Sequence, residues 1–374
     1  MSRGPGSPLW CRRRRAPRPR SRRAVRIHAS TSRATRRCER ASGAPASTAG
    51  FLRDRRVRPG SATLDRPWPP RAVTTGVRME TIGVIGLGNM GIGMARNLVA
   101  AGFPVVGFDL RPERLALLAE SGGIPAADCA EVGARSDAVF VMVMNGQQAR
   151  EALLGADGAV RAMSKGDTVL MTATILPAEV RALEGPLAAA GVGLVDTPVS
   201  GGKPGADGGT LTLMAAARTD VLEANRGALE AISANLFHVG EEIGQGQTVK
   251  AALQALIGCT FAATFEALVM GVGSGVSGST LFEVFRSSAV GSPLFEGCAR
   301  QVLDRRFKGT GSHIGTMYKD LGISMAVARE AGAVMLTTSS AYEMFQAGIS
   351  RYPDEDNWAV AKWLEEFAGT EVGW

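Results

Sequence analysis

Histidine, cysteine and tyrosine are scarce in this chain of 374 residues: three His, five Cys and three Tyr. Only His238 and His313 follow residue 78, so a histidine-rich metal centre is excluded and no metal site is expected. The cysteines of the same stretch, Cys129, Cys259 and Cys298, are far apart and lack CxxC pairing, which argues against a disulfide framework or a zinc site. Long apolar runs are missing too. The longest, Ala138 to Met144, is too short to span a bilayer, and no secretory pattern opens the chain, so no membrane partner is expected.

Lysine is absent from the first 78 residues, which instead hold 21 Arg against three acids, Glu39, Asp54 and Asp65. That segment carries +18; the rest has 42 − 21 = 21 basic and 35 − 3 = 32 acidic residues, or −11, so the net +7 belongs wholly to the leader. Rich in Arg, Pro, Ser and Ala and without apolar periodicity, residues 1–78 are expected to be disordered. Three readings of the leader stay open. It is a transit peptide, which would put the protein in the mitochondrial matrix; a nucleic-acid-binding arm; or an extension ahead of a true start at Met79. The third is the plainest, because a strand begins two residues after Met79, and the near absence of Phe, Tyr and Lys weakens the nucleic-acid reading. A cytoplasmic location follows if the leader is set aside.

The 296 residues from Met79 suffice for about two domains. Short β-branched runs, TIGVIG, VVGFD, DAVFVMVM, DTVLM and GVGLVD, alternate with amphipathic segments up to about Gly240. This predicts an α/β Rossmann domain over 79–240, a parallel sheet with helices on both faces. Beyond it, apolar residues recur at helical spacing through 249–272, 281–285, 314–331, 337–347 and 358–367, which predicts an all-helical domain over 241–374 with a long first helix.

Three glycine clusters carry the chemistry. Gly86, Gly88 and Gly91 form G-x-G-x-x-G between a strand and a helix, where a tight turn, a close approach to pyrophosphate and helix–strand packing each call for glycine. Asp109 ends the next strand 18 residues beyond Gly91, placed to bind adenine ribose hydroxyls. Its carboxylate favours NAD over NADP, although Arg111 can offset that preference by pairing with a 2′-phosphate. The second cluster, Val195 to Met214, is read as a loop with no helix after it, in which Ser200, Gly201 and Gly202 offer a hydroxyl and backbone N–H groups to a carboxylate; a plain surface loop is the alternative. The third places Lys250 one turn into an apolar helix, where desolvation would lower its proton affinity and make it a general base; a solvated lysine is the alternative. Lys319 and Asp320 open another apolar helix, as a functional pair or a capping or surface pair.

In this order and spacing the motifs resemble the β-hydroxyacid dehydrogenase family over Met79 to Phe367. The resemblance implies a Rossmann domain, a long interdomain helix and a helical domain that helps form homodimers or homotetramers. It makes Gly86, Leu87, Gly88, Asn89, Met90, Gly91, Asp109 and Arg111 cofactor contacts, Thr174 a contact near the nicotinamide, and Lys319 a lysine that reaches the cofactor. It also makes Ser200, Gly201 and Gly202 the substrate loop and Lys250 the catalytic lysine. Two departures stand out. The family's usual Asn three residues after the lysine is Leu253 here, followed by Gln254 on the neighbouring position of the same face, which is a candidate to assist the substrate. After the fourth strand MNGQQ, Met144 to Gln148, replaces the usual Leu-Pro and resembles the L-threonate dehydrogenase branch. The expected activity is NAD-dependent oxidation of a small 3-hydroxy acid. The rivals are an imine reductase-like NADP oxidoreductase, against which Lys250 speaks, and a non-catalytic nucleic-acid or chromatin adaptor using the basic leader.

Overall fold

The computed structural model describes residues 80–374; the readings of the leader fall outside the described residues. The first half runs β1 (Ile82–Ile85), α1 (Gly91–Ala100), β2 (Val105–Phe108), α2 (Pro112–Glu120), β3 (Ile124–Pro125), α3 (Cys129–Ala134), β4 (Ala138–Val141), α4 (Gly146–Leu154), β5 (Thr168–Met171), α5 (Pro177–Ala190) and β6 (Gly193–Asp196). It continues with β7 (Val199–Ser200), α6 (Gly202–Gly208), β8 (Leu211–Ala216), α7 (Thr219–Ala224), α8 (Arg226–Glu230) and β9 (Ser233–Gly240). Strands β3-β2-β1-β4-β5-β6 are parallel neighbours in that order.

The strands read as unbroken apolar runs because both faces are covered. Val84, Phe140 and Leu170 enter one core and Ile85, Val139, Val141 and Met171 the other. The chain order reverses between β1 and β4, so the carboxyl ends of these two strands flank the crevice where ligands bind in open α/β sheets.

The strands read from the sequence are parallel as expected, and the chain adds a reversal beyond them: β8 runs antiparallel to both β6 and β7, and β9 then pairs parallel with β8. The glycine-rich segment after β6 likewise does contain a helix, α6. Glycine propensity opposes it, and tertiary contact with α1 overrides propensity. The Asn97 amide of α1 donates to the carbonyls of Ala206 and Asp207, and a Cβ on Gly93 would lie 2.7 Å from the Ala206 backbone.

The helical half consists of α9 (Gln245–Gly273), α10 (Gly278–Arg286), α11 (Pro293–Leu303), α12 (Ile314–Glu330), α13 (Leu336–Arg351) and α14 (Ala359–Ala368). Helix α11 escaped the periodicity reading, although Ser292 caps it and Pro293 opens it. By length and composition alone α9 is long and apolar enough to cross a membrane, with a mean hydropathy of 1.8 over an 18-residue window, a feature that counting unbroken apolar runs missed. Its apolar surface is instead the spine of the helical core: α10 to α14 all pack on it, burying Phe261, Phe265 and Leu268.

Candidate active site

At the carboxyl end of β1 the chain turns through Gly86, whose φ is +91°, into α1. A Cβ on Gly91 would sit 1.9 Å from the Gly86 carbonyl oxygen, so this glycine is required by its own turn rather than by helix–strand packing. No side chain caps α1 and its first turn holds no acid, so no side chain competes with an anion at this N-terminus, although Ile92 N–H already turns back to the Gly88 carbonyl at 3.1 Å. A Cβ on Gly88 would meet nothing nearer than Arg111 at 3.7 Å, so the turn presents bare backbone there.

Asp109, just beyond β2, accepts from Leu87 N–H at 2.8 Å and from Arg111 N–H and Nε at 3.0 and 2.9 Å. Burial pushes its carboxyl up, but the Arg111 and Leu87 bonds outweigh this and hold it below the usual carboxylate range. Leu87 itself is a core residue whose side chain is fully buried and whose N–H serves Asp109, while Asn89 is exposed and Met90 half-buried. The Asn145 and Gln148 pair caps the start of α4: Asn145 Oδ1 accepts from Gln148 N–H at 2.9 Å and Gln148 Oε1 from Met144 N–H at 3.0 Å. These two residues are therefore held in a reciprocal helix cap.

Lys250 lies in the second turn of α9 and is 5% exposed. Burial pushes its pKa down to about 8; Asp320 pulls it back up and Lys319 adds to the fall. No described residue hydrogen-bonds or ion-pairs with its Nζ. The alternative of a solvated lysine is thereby set aside. Beside it Asp320 is buried and Lys319 half-buried. Lys319 Nζ donates to the Thr174 carbonyl at 2.6 Å and pairs with Asp320 at 2.9 Å, and buried Asp320 accepts from Gln254 Nε2 at 2.5 Å. Gln254 thus spends one of its two amide hydrogens on Asp320.

Ser200 closes β7, and Gly201 and Gly202, with φ of +131° and +59°, turn the chain into α6. Lys203 pairs with Asp207 one turn on, and its stem lies against Gly311 of the helical half. That contact brings the segment before α12 onto the substrate-loop candidate.

Two family models match the chain: the NAD binding domain of 6-phosphogluconate dehydrogenase over residues 81–240, and the NAD-binding domain of NADP-dependent 3-hydroxyisobutyrate dehydrogenase over 244–364. An L-threonate dehydrogenase from Cupriavidus necator is 38% identical over 284 residues, 76% of this chain and 95% of that one. The chain belongs to the β-hydroxyacid dehydrogenase family. A 2-(hydroxymethyl)glutarate dehydrogenase from Eubacterium barkeri is 32% identical over 293 residues, 78% of this chain and 97% of that one. The solved 3-hydroxyisobutyrate dehydrogenase of Salmonella typhimurium superposes with a TM-score of 0.71 at 31% identity, covering 76% of this chain and 99% of that one.

As a β-hydroxyacid dehydrogenase the chain is an oxidoreductase with NAD-binding domains. The predicted residues fall into three groups. Gly86 to Gly91, Asp109 and Arg111 gather at the ends of β1 and β2; Thr174, Gln254 and Lys319 are joined through Asp320, whose charge also acts on Lys250; Ser200 to Gly202 stand at the turn into α6. Reasoning from sequence treated Asp320 only as the partner of Lys319 and passed over Asp196 and Gln247, although the DTP and GQGQ runs that hold them were in view.

Proposed function

We propose that this β-hydroxyacid dehydrogenase oxidises a small 3-hydroxy acid, with Lys250 as the general base and NAD preferred over NADP. The carrying observation is the Lys250 ammonium, buried without a hydrogen-bond or ion-pair partner among the described residues and brought to a pKa of about 8. A group so placed can hold the substrate hydroxyl and take its proton near neutral pH. The uncapped α1 N-terminus and open Gly88 fit a pyrophosphate, and Asp109 fits the ribose hydroxyls. NAD, once bound, supplies the hydride acceptor.

Ser200 and the N–H groups of Gly201 and Gly202 orient the acid by its carboxylate, while Lys250 removes the hydroxyl proton and the hydrogen on the carbinol carbon is the hydride that NAD would accept. Such proton transfer contributes about 10²- to 10⁴-fold. In the reverse direction the protonated lysine polarises the carbonyl. The NAD preference rests on Asp109, whose charge repels a 2′-phosphate; its bonds to Arg111 occupy the cation that would otherwise welcome one. Leu253, three residues after the base and half-buried, gives the substrate an apolar neighbour. Val249, Leu256 and Met270, seven or fourteen residues apart and 40%, 66% and 69% exposed, form a stripe on α9 that suits pairing with a second copy.

The test is NADH formation by the purified chain with L-threonate, D-threonate, 3-hydroxyisobutyrate, L-serine and D-glycerate, with NADP and Lys250→Ala in parallel. Turnover of one acid with NAD, lost in the variant, is expected. Undiminished turnover by Lys250→Ala would remove the lysine from the reaction.

A further inference from the structure

One buried amide joins the helix of Lys250 to the loop of Thr174. Gln247, one turn before Lys250 on α9, is wholly buried. Its Oε1 accepts from Ile175 N–H at 3.1 Å, and its Nε2 donates to the Ala173 carbonyl at 2.9 Å and to Asp196 Oδ1 at 3.0 Å. The amide has only one workable orientation. Reversed, its oxygen would face two acceptors and its nitrogen a donor.

Asp196, at the end of β6, also accepts from the N–H groups of Gly244 and Gln247 at 2.9 and 3.2 Å, so the carboxylate that orients the amide also caps α9. The first turn of α9 lies directly on the sheet. A Cβ on Gly246 would be 2.5 Å from the Met214 carbonyl oxygen and 2.6 Å from that of Asp196. From the other side, Lys319 holds the Thr174 carbonyl. Main-chain groups of three successive residues, 173 to 175, are thus gripped by the helical half.

We propose that Gln247, oriented by Asp196, is a positioning residue that fixes the Thr174 loop relative to the Lys250 ammonium. The inference rests on the reading of Lys250 as the base and of Thr174 as a neighbour of the nicotinamide. Residues three apart on a helix share a face, separated by about 4.5 Å of rise. Any rotation of α9 that displaces Lys250 therefore breaks the bonds of Gln247, in an interior where no water can replace them. Misplacement by about 1 Å can cost roughly 10²-fold in rate, so this tie is aimed at hydride transfer rather than at affinity.

The experiment uses the full chain with Gln247→Met, which keeps the length and loses the amide, and Gln247→Glu, which keeps an acceptor and loses both donations. Phe345→Leu, in the helical core, serves as a control that lowers stability at a distance. Hydrogen exchange at the Ile175 amide is read without substrate. Turnover is read with L-threonate, unlabelled and deuterated at its carbinol carbons.

The expected result is exchange at Ile175 faster by about tenfold or more in Gln247→Met, with kcat down by about 10- to 100-fold and KM for NAD within about threefold. The deuterium isotope effect on kcat grows, and Phe345→Leu changes the melting temperature alone. Unchanged exchange at Ile175, or a Gln247→Met enzyme that behaves like Phe345→Leu, overturns the proposal. Should Gln247→Met fail to fold, Gln247→Glu gives the same kinetic reading. If the native enzyme leaves L-threonate untouched, turnover is read with whichever of the five acids it accepts, and exchange at Ile175 still decides the tie.

Discussion

Replacing Lys250 with Met should destroy activity and at the same time stabilise the protein. Burial lowers the lysine from its ordinary value of 10.5 to about 8, so below pH 8 the fold holds a charge that it disfavours relative to the unfolded chain. Each pKa unit corresponds to about 1.36 kcal/mol, and the difference of 2.5 gives about 3 kcal/mol at pH 7. Met fills a similar volume without the charge and escapes that cost, which should raise the melting temperature by roughly 5 °C. The sign follows from proton counting. Between about pH 8 and 10.5 the unfolded chain binds more protons at this site than the native one, so native stability gains with rising pH and the advantage of Lys250→Met shrinks. Denaturant unfolding of both proteins at pH 7 and pH 10 measures this. A variant no more stable than the native enzyme at pH 7, or an advantage undiminished at pH 10, would refute the account of a desolvated ammonium.

The same lysine predicts that kcat/KM for oxidation climbs with pH to a plateau above about 8, as a pH–rate profile will show. Asp109→Ser removes the Arg111 ion pair and the bond from Leu87 N–H; KM for NAD should rise about 10- to 100-fold and NADP should gain, read from initial rates with each dinucleotide. Gly91→Ala forces a Cβ to within 1.9 Å of the Gly86 oxygen, so NADH binding followed by fluorescence titration should be lost. Leu253→His should raise kcat/KM for L-threonate by about tenfold through a new hydrogen bond, whereas no change would mean that this position does not face the acid.

Much of the architecture was written locally. Continuous apolar strands marked a sheet covered on both faces, and the 3.6-residue period marked the helices after Gly240, because these signals need only each element's own neighbours. The glycines of the first turn, Asp109 and Lys250 could be read from residue type and spacing for the same reason. What escaped depends on contacts across the fold. Nothing in GGKPGADGG favours a helix, yet α6 forms because Asn97 and Gly93 of α1 hold it. Gln254 reads as a candidate to assist the substrate, and only the packing of α12 on α9 adds the bond from its amide to Asp320.

By itself, then, the sequence determined the two kinds of domain, the dinucleotide turn and the lysine on an apolar helix, all set by local propensity and periodicity. Only the tertiary structure decided the antiparallel turn of β8, the burial that shifts Lys250, and the Asp196, Gln247 and Ala173 to Ile175 tie. Partners in that tie stand up to 74 residues apart, and a hydrogen bond between them exists only once folding has excluded water from both.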